Sequence, residues 1–376
     1  MAADRIETLI AQMTVVEKVG QLGVFADMVR PFAPDVNPEA NVSNADQVLQ
    51  QVREGKVGSL FNGVGVEAGR RIQQVALEES RLKIPVILAA DVIHGMRTVF
   101  PIPLGEAASF EPDLAERTAR ATAVEATAAG LHWTYAPAVD IARDQRWGRG
   151  AEGAGEDVVL GCAFAAARVR GFQGPDLRAD DALLATPKHF AAYGAVMAGM
   201  EYNMVDISPQ TLRDVHLPPF KAAFEAGALT VMSSFNDING VPASANAELL
   251  TDILRGEWNF PGVVISDYTA DMELVAHGYA ADDRDATAKA FTAGLDLSMQ
   301  SGFYAEHLPG LIESGEVPMA TLDESVRRIL RLKDAIGLFD DPYRSLDLAR
   351  EADTSHIAAH DELSRDAARR SIVLLK

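Results

Sequence analysis

The amino-acid sequence predicts an α/β fold of the TIM-like (β/α)8-barrel type, and three observations predict it. Short apolar runs alternate with helical patterns over roughly 300 residues, which is the alternation of an α/β chain. Most of those runs are apolar throughout, as parallel strands covered on both faces are. Polar residues then gather where the runs end: Asp91, His94, Asp140, Lys188, His189, Asn236, Asp267 and Asp296. A doubly wound open sheet satisfies the first two observations. The third favours the barrel, whose strand ends converge on one mouth.

Taken in order, the elements justify themselves locally. Ile6, Leu9, Ile10 and Met13 share one helical face, and Thr14 with Glu17 fits a capping box. The strand candidates are VGSLFN (57–62), PVILAAD (85–91), LHWTYAPAVD (131–140), LLATPKHF (183–190), LTVMSSFN (229–236), GVVISD (262–267) and GLDLSM (294–299). FNGVGVEAG (61–69) has Gly63, Gly65 and Gly69 after a strand, but misses the G-x-G-x-x-G spacing and reads as a turn. Ser208–Pro209 starts a helix and Gly227 stops one. Leu322, Val326, Ile329, Leu330 and Ile336 form an inward stripe ended by Gly337.

After Phe339 the pattern changes, giving a barrel over 1–339 and a remainder over 340–376. DDPYRSLDLAREADTSH (340–356) reads as a linker, IAAHDELSRDAARR as a helix and SIVLLK as a strand. A strand there has no sheet in this chain, so it is expected to begin a second domain rather than to complete the barrel. Its apolar edge predicts self-association as a homodimer, disorder of 357–376, or a partner polypeptide that supplies the second domain.

The 376 residues are 48% hydrophobic and carry a net charge of −20, with the acidic residues scattered. That sign argues against nucleic acid or an anionic membrane as partner. No apolar run reaches the ~18 residues of a membrane span. MAADRIETLIAQM is no secretory leader, so a periplasmic or secreted location requires a mature form, and a cytoplasmic one otherwise follows. Cys162 is the single cysteine, which excludes disulfides and thiolate metal sites. With no phosphate loop and no H-E-x-x-H, no cofactor or metal is expected.

In PGVVISDYTAD, Asp267 stands at the tip of an apolar strand, where a charge is costly unless paired. Lys188 and His189 of TPKHF and Arg149 of RDQRWGRG are the available cations, expected to hold the carboxylate ionised. Such an aspartate serves as nucleophile or electrostatic stabiliser; the plainer reading is a helix cap. Asp91 of AADVIHG has the same location and suits acid/base work or a clamp on sugar hydroxyls. His94 reads as structural. Lys188 raises a Schiff-base aldolase as a rival. Trp133, Trp147, Phe190, Tyr193, Phe235 and Tyr268 lie near the same ends, as sugar platforms or as core.

Six stretches in this order carry a resemblance: MTVVEKVGQL, SRLKIPVILAADVIHGMRTVFPIPLG, APAVDIARDQRWGRGAEGAGED, TPKHFAAYGA, VMSSFNDINGVPA and GVVISDY. The chain resembles the first domain of glycoside hydrolase family 3, most closely its bacterial periplasmic β-glucosidases, and DAARRSIVLLK resembles the start of that family's second domain. The resemblance implies hydrolysis of terminal β-D-glucosyl residues by a retaining mechanism. Asp267 would be the nucleophile; Asp91, Arg149, Lys188 and His189 would bind sugar hydroxyls; Tyr268 and Phe235 would wall the pocket. It also implies a β-glucoside or oligosaccharide substrate. Two departures stand out. Met200 occupies a position where those relatives commonly carry a cation, and the general acid is expected from beyond this chain. KHFAAYG lacks the loop histidine of the family's single-domain β-N-acetylhexosaminidases, leaving Glu152 and Glu201 as local acid candidates. A sugar-binding barrel without turnover is the alternative.

Overall fold

The computed structural model describes residues 2–31 and 44–376. Its strands are β1 Gly23–Ala26, β2 Ser59–Phe61, β3 Ile87–Ala90, β4 Trp133–Thr134, β5 Thr230–Ser233, β6 Asp237–Ile238, β7 Val241–Pro242, β8 Val263–Ser266 and β9 Ser298–Met299. A parallel sheet runs β4-β3-β2-β1-β9, and β5 pairs β8 in parallel. Isolated parallel bridges complete the ring: Trp133 to Leu184, Ala138 to Lys188, Phe190 to Ser233 and Ile265 to Leu297. The 184–190 segment thus stands between β4 and β5 as the remaining barrel member. The predicted (β/α)8 barrel is formed, with β6 and β7 as an antiparallel hairpin beside its mouth.

The ring members are buried on both faces, which is why VILAA and VVIS carry no alternation. Helices Pro112–Ala128, Val158–Gln173 and Pro218–Glu225 lie side by side on the outside. The capping box forms: the Glu17 N–H donates to Thr14 Oγ1 and the Thr14 N–H to Glu17 Oε2. Ser208 accepts from the Thr211 N–H with Pro209 at the first helical position. Gly227 stands at φ +102 beyond Glu225, and Gly337 at φ +79 beyond the stripe of Leu322 to Ile336.

Three expectations need correction. β1 was not foreseen: only four residues long, it follows helix Val15–Gln21 with Leu22 alone between, so no run stands out. Asp296 precedes β9 and lies at the opposite end of the barrel from the mouth, where it accepts from Arg255, Arg328, Ser325 and the Val264 N–H. The 340–356 stretch is no loose linker. It contains helix Leu348–Ala352 and buries Arg344, Ser345 and Leu346 against the barrel.

Helix Ile357–Arg370 forms as expected, but 371–376 makes no strand, and Ile372 to Leu375 stand exposed. A strand requires a neighbour for its N–H and C=O groups, and no sheet edge lies against this one. Among the described residues no helix is long and apolar enough to cross a membrane.

Arg344 is the fastener of the C-terminal segment. Its guanidinium donates to the carbonyls of Leu177, Ala179, Ala182 and Ile336, all at the base of the barrel. Arg344→Met keeps most of the volume and strands those carbonyls, so unfolding in urea should show a loss of about 3 kcal/mol. An unchanged midpoint would show that the segment is held by something else.

Candidate active site at the mouth of the barrel

All the predicted site residues but Arg149 sit where a ring member ends. Asp91 follows β3, Lys188 and His189 close the 184–190 segment, Phe235 follows β5, and Asp267 with Tyr268 follows β8. Arg149 arrives from the single turn Gly148–Glu152 in the long loop after β4. Asp91, Arg149, Lys188, Phe235, Asp267 and Tyr268 line one cleft of about 390 Å3, a size suited to a small ligand. A larger groove of about 670 Å3 runs between helices Pro112–Ala128, Val158–Gln173 and Ile357–Arg370. It lies on the outside of the barrel and includes neither Asp91 nor Asp267, so the predicted site residues belong to the smaller cleft.

The floor is ordered by a chain of hydrogen bonds. Asp140 Oδ2 accepts from the His189 N–H at 3.1 Å and from Nδ1 at 2.8 Å. With Nδ1 donating, Nε2 is the acceptor, and it takes an Arg149 Nη2–H at 2.6 Å. Arg149 is braced in turn by Glu152 at 2.7 and 3.0 Å. His189 is fully buried; burial, with Arg149 and Lys188 beside it, pulls its pKa well below the usual value, so it is neutral. This corrects the expectation of a cationic His189. Burial pushes Asp140 the other way, up to about 7, against the pull of Arg149 and the His189 N–H.

Lys188 Nζ donates to Asp91 Oδ2 at 2.5 Å, with the lysine side chain 4% exposed and the aspartate 40%. An ammonium held in that pair is not the free amine that Schiff-base chemistry requires. Asp267 Oδ1 takes the Tyr268 N–H at 2.7 Å. Its Oδ2 lies 3.4 Å from His189 Nε2, itself an acceptor, and is buried with no hydrogen-bond donor among the described residues. Burial raises the Asp267 pKa; Lys188, Arg149 and the Tyr268 N–H oppose this, and Asp91 adds repulsion. The net direction is upward, so the expected lowering by cations is reversed: desolvation outweighs them.

Other expectations sort by geometry. Trp133, Phe190 and Tyr193 are fully buried and Trp147 nearly so; they are core, not platforms. Tyr193 and Trp147 both donate to Glu201, and Glu152 is held by Arg149, so both local acid candidates are engaged. Met200 is 62% exposed and does not line the cleft; Arg149 Nη1, 3.7 Å from Glu201, brings positive charge to that loop. His94 Nδ1 lies 3.1 Å from the Phe100 carbonyl within its own loop, and Asn236 donates to the Ala191 and Asp237 carbonyls. The cleft residues missed from sequence include Phe61, Tyr135, Tyr202 and Glu273. Tyr202 meets Phe235 edge-on at 4.9 Å, and Phe61 meets Tyr268 edge-on at 6.1 Å. Phe61 ends a strand run and was findable; Glu273, which opens the short helix Glu273–Ala276 beyond Asp267, carries no spacing signal.

A (β/α)8 barrel with a carboxylate set among bases at the C-terminal mouth has the build of a barrel hydrolase. The comparisons narrow this. The chain belongs to glycosyl hydrolase family 3, whose N-terminal-domain model matches residues 11–332. It is 44% identical over 375 residues to a periplasmic beta-glucosidase of Salmonella typhimurium, covering 99% of this chain and 47% of that relative. A beta-xylosidase of Formosa agariphila is 33% identical over 89% of this chain and 48% of its own. The beta-glucosidase of Listeria innocua in complex with isofagomine superposes with a TM-score of 0.92 at 38% identity, over 100% of this chain and 52% of that one. The chain thus spans about half the length of the relatives it matches.

Because the folded-state pKa of Asp267 lies above its unfolded value, the charged form costs stability at neutral pH. That cost fades as pH falls through the raised pKa. Asp267→Asn should therefore melt higher than the parent at neutral pH, with the gap closing on acidification in calorimetry. A variant that melts lower at neutral pH would mean that Arg149 and Lys188 stabilise the charge after all.

Proposed function

We propose that this chain is the catalytic barrel of a retaining exo-β-glucosidase, with residues 1–339 as the barrel and 340–376 as the lead into a second domain. The supporting observation is Asp267 Oδ2: a buried carboxylate oxygen on the cleft lining, without a hydrogen bond among the described residues, in the field of Lys188 and Arg149. An oxygen so placed attacks the anomeric carbon of a β-glucoside, forming a glycosyl ester as the bond to the leaving oxygen breaks. Water then cleaves the ester, and two inversions give retention. Asp91, Lys188 and Arg149 hold ring hydroxyls, His189 fixes Arg149, and Tyr268 and Phe235 wall the sugar. The β-glucosidases of Salmonella typhimurium and Listeria innocua support this reading by likeness. The β-xylosidase relative makes the kcat/KM ratio of aryl β-glucoside to aryl β-xyloside the measure of sugar preference.

A retaining enzyme also needs a carboxylic acid about 5–5.5 Å from the nucleophile. With Glu152 and Glu201 engaged, we assign that acid to a second-domain polypeptide. The engagement of both also favours a second reading, a barrel that binds sugar without turnover.

A 2-deoxy-2-fluoro-glucoside with an activated leaving group separates the two. It should add the mass of the fluoroglycosyl group to the peptide holding Asp267; ligand binding without that mass supports the binding module. Asp267→Ala should lower kcat by on the order of 10^4-fold. The acid limb of kcat/KM should fall above the ordinary aspartate value of ~3.9, because Asp267 must lose its proton to attack.

Leaving-group dependence tests the acid. Aryl β-glucosides should be turned over faster than alkyl ones, since a phenolate leaves without protonation. Glu273→Gln should leave that ratio unchanged. A ratio that widens sharply in the variant would make Glu273 the local acid and refute assignment to a second domain.

A further inference from the structure

We propose that Glu125, His356 and His360 form a divalent-cation site of the zinc class at the seam between helix Ile357–Arg370 and the barrel. His356 and His360 are one helical turn apart, so both rings project from the same face, with centroids 4.9 Å apart. One ligating atom from each of the three residues lies within 4.8 Å of the others. His356 Nε2 is buried with no hydrogen-bond partner among the described residues. An imidazole nitrogen without a hydrogen bond, next to a buried carboxylate, has a lone pair to offer a cation.

Glu125 is already held in place for the role. Its Oε2 accepts the N–H groups of Arg97 and Thr98, each at 2.8 Å. Its Oε1 accepts the Thr98 hydroxyl and His360 Nδ1, each at 2.7 Å. Burial pushes the Glu125 pKa up, yet these donors outweigh it and the net shift is downward, so the carboxylate is charged. Two imidazoles and a carboxylate suit zinc, with a fourth position left to water or another ligand. Donors behind the carboxylate are the outer shell that orients a metal ligand. On binding through Nδ1, the ion takes the place of the hydrogen between His360 Nδ1 and Glu125 Oε1, and the neutral ring carries its one proton on Nε2 instead.

The full chain, stripped with chelator, should bind a single Co2+ with visible d–d absorption, displaced by Zn2+. Zn2+ should raise the thermal midpoint of the parent chain. His356→Ala removes a ring nitrogen that makes no hydrogen bond among the described residues, so the fold should stand by circular dichroism; it should lose both the absorption and the thermal shift. Absence of stoichiometric binding, or equal binding by His356→Ala, overturns the site, the latter by tracing the ion to the acidic surface.

Discussion

Keeping a carboxylate dry at the mouth of the barrel is the constraint around which the polar architecture is arranged. Asp267 would be most stable in water, and the fold largely buries it while giving Oδ2 no donor among the described residues. What makes the position tolerable is positive charge at a fixed distance rather than direct pairing. Lys188 is spent on Asp91 and Arg149 on Glu152 and His189, so each cation is oriented by another partner and acts on Asp267 through space. A direct pair would be more stable and would cover the oxygen. In the proposed reaction, leaving it uncovered keeps the interaction for a developing positive charge on a sugar, where it is stronger in the transition state than in the ground state.

His189 shows how that arrangement is enforced. A neutral ring cannot neutralise a carboxylate, and it need not. Asp140 fixes the Nδ1–H tautomer, which turns Nε2 into the acceptor that aims Arg149. The same closed ring that joins Ala138 to Lys188 and Phe190 to Ser233 sets the spacing of these groups. The placement of Lys188, His189 and Asp267 is therefore a property of barrel closure, with Arg149 brought in by the loop after β4.

The barrel was legible because fully buried parallel strands leave continuous apolar runs, and seven of its members could be read that way. β1 was not, since four residues butted against a helix carry no period of their own. The site was legible as positions: Asp91, Arg149, Lys188, Asp267, Tyr268 and Phe235 do meet in one cleft, with His189 beneath. The charges were not legible, because they depend on depth. Burial decided against the cations for Asp267 and made His189 neutral, and sequence names neighbours without saying how far each is from water. The same limit moved Trp133 and Phe190 into the core and Asp296 to the far end. SIVLLK has strand composition, but a strand is a pairing, and composition supplies only half of it.

The two sides of the cleft are held by different means. Asp267 stands on β8, inside the closed ring, and moves only if the barrel does. Asp91 opens a loop that folds back on itself, with the Phe100 N–H bonded to the His94 carbonyl. Gly95, at φ +130 with the Thr98 carbonyl where a Cβ would lie, permits that turn. The loop's outer half is anchored from elsewhere: the Arg97 guanidinium reaches the Glu351 carbonyl, Ser364 donates to the Val99 carbonyl, and Thr98 binds the Glu125 that also holds His360. Under the proposed function, a sugar held between Asp267 and Asp91 would be gripped on one side by the barrel and on the other by a loop tied to the C-terminal helices. Whatever fixes or frees those helices acts first on the Asp91 side and reaches Asp267 through the Asp91–Lys188 pair, whose two charges both bear on it.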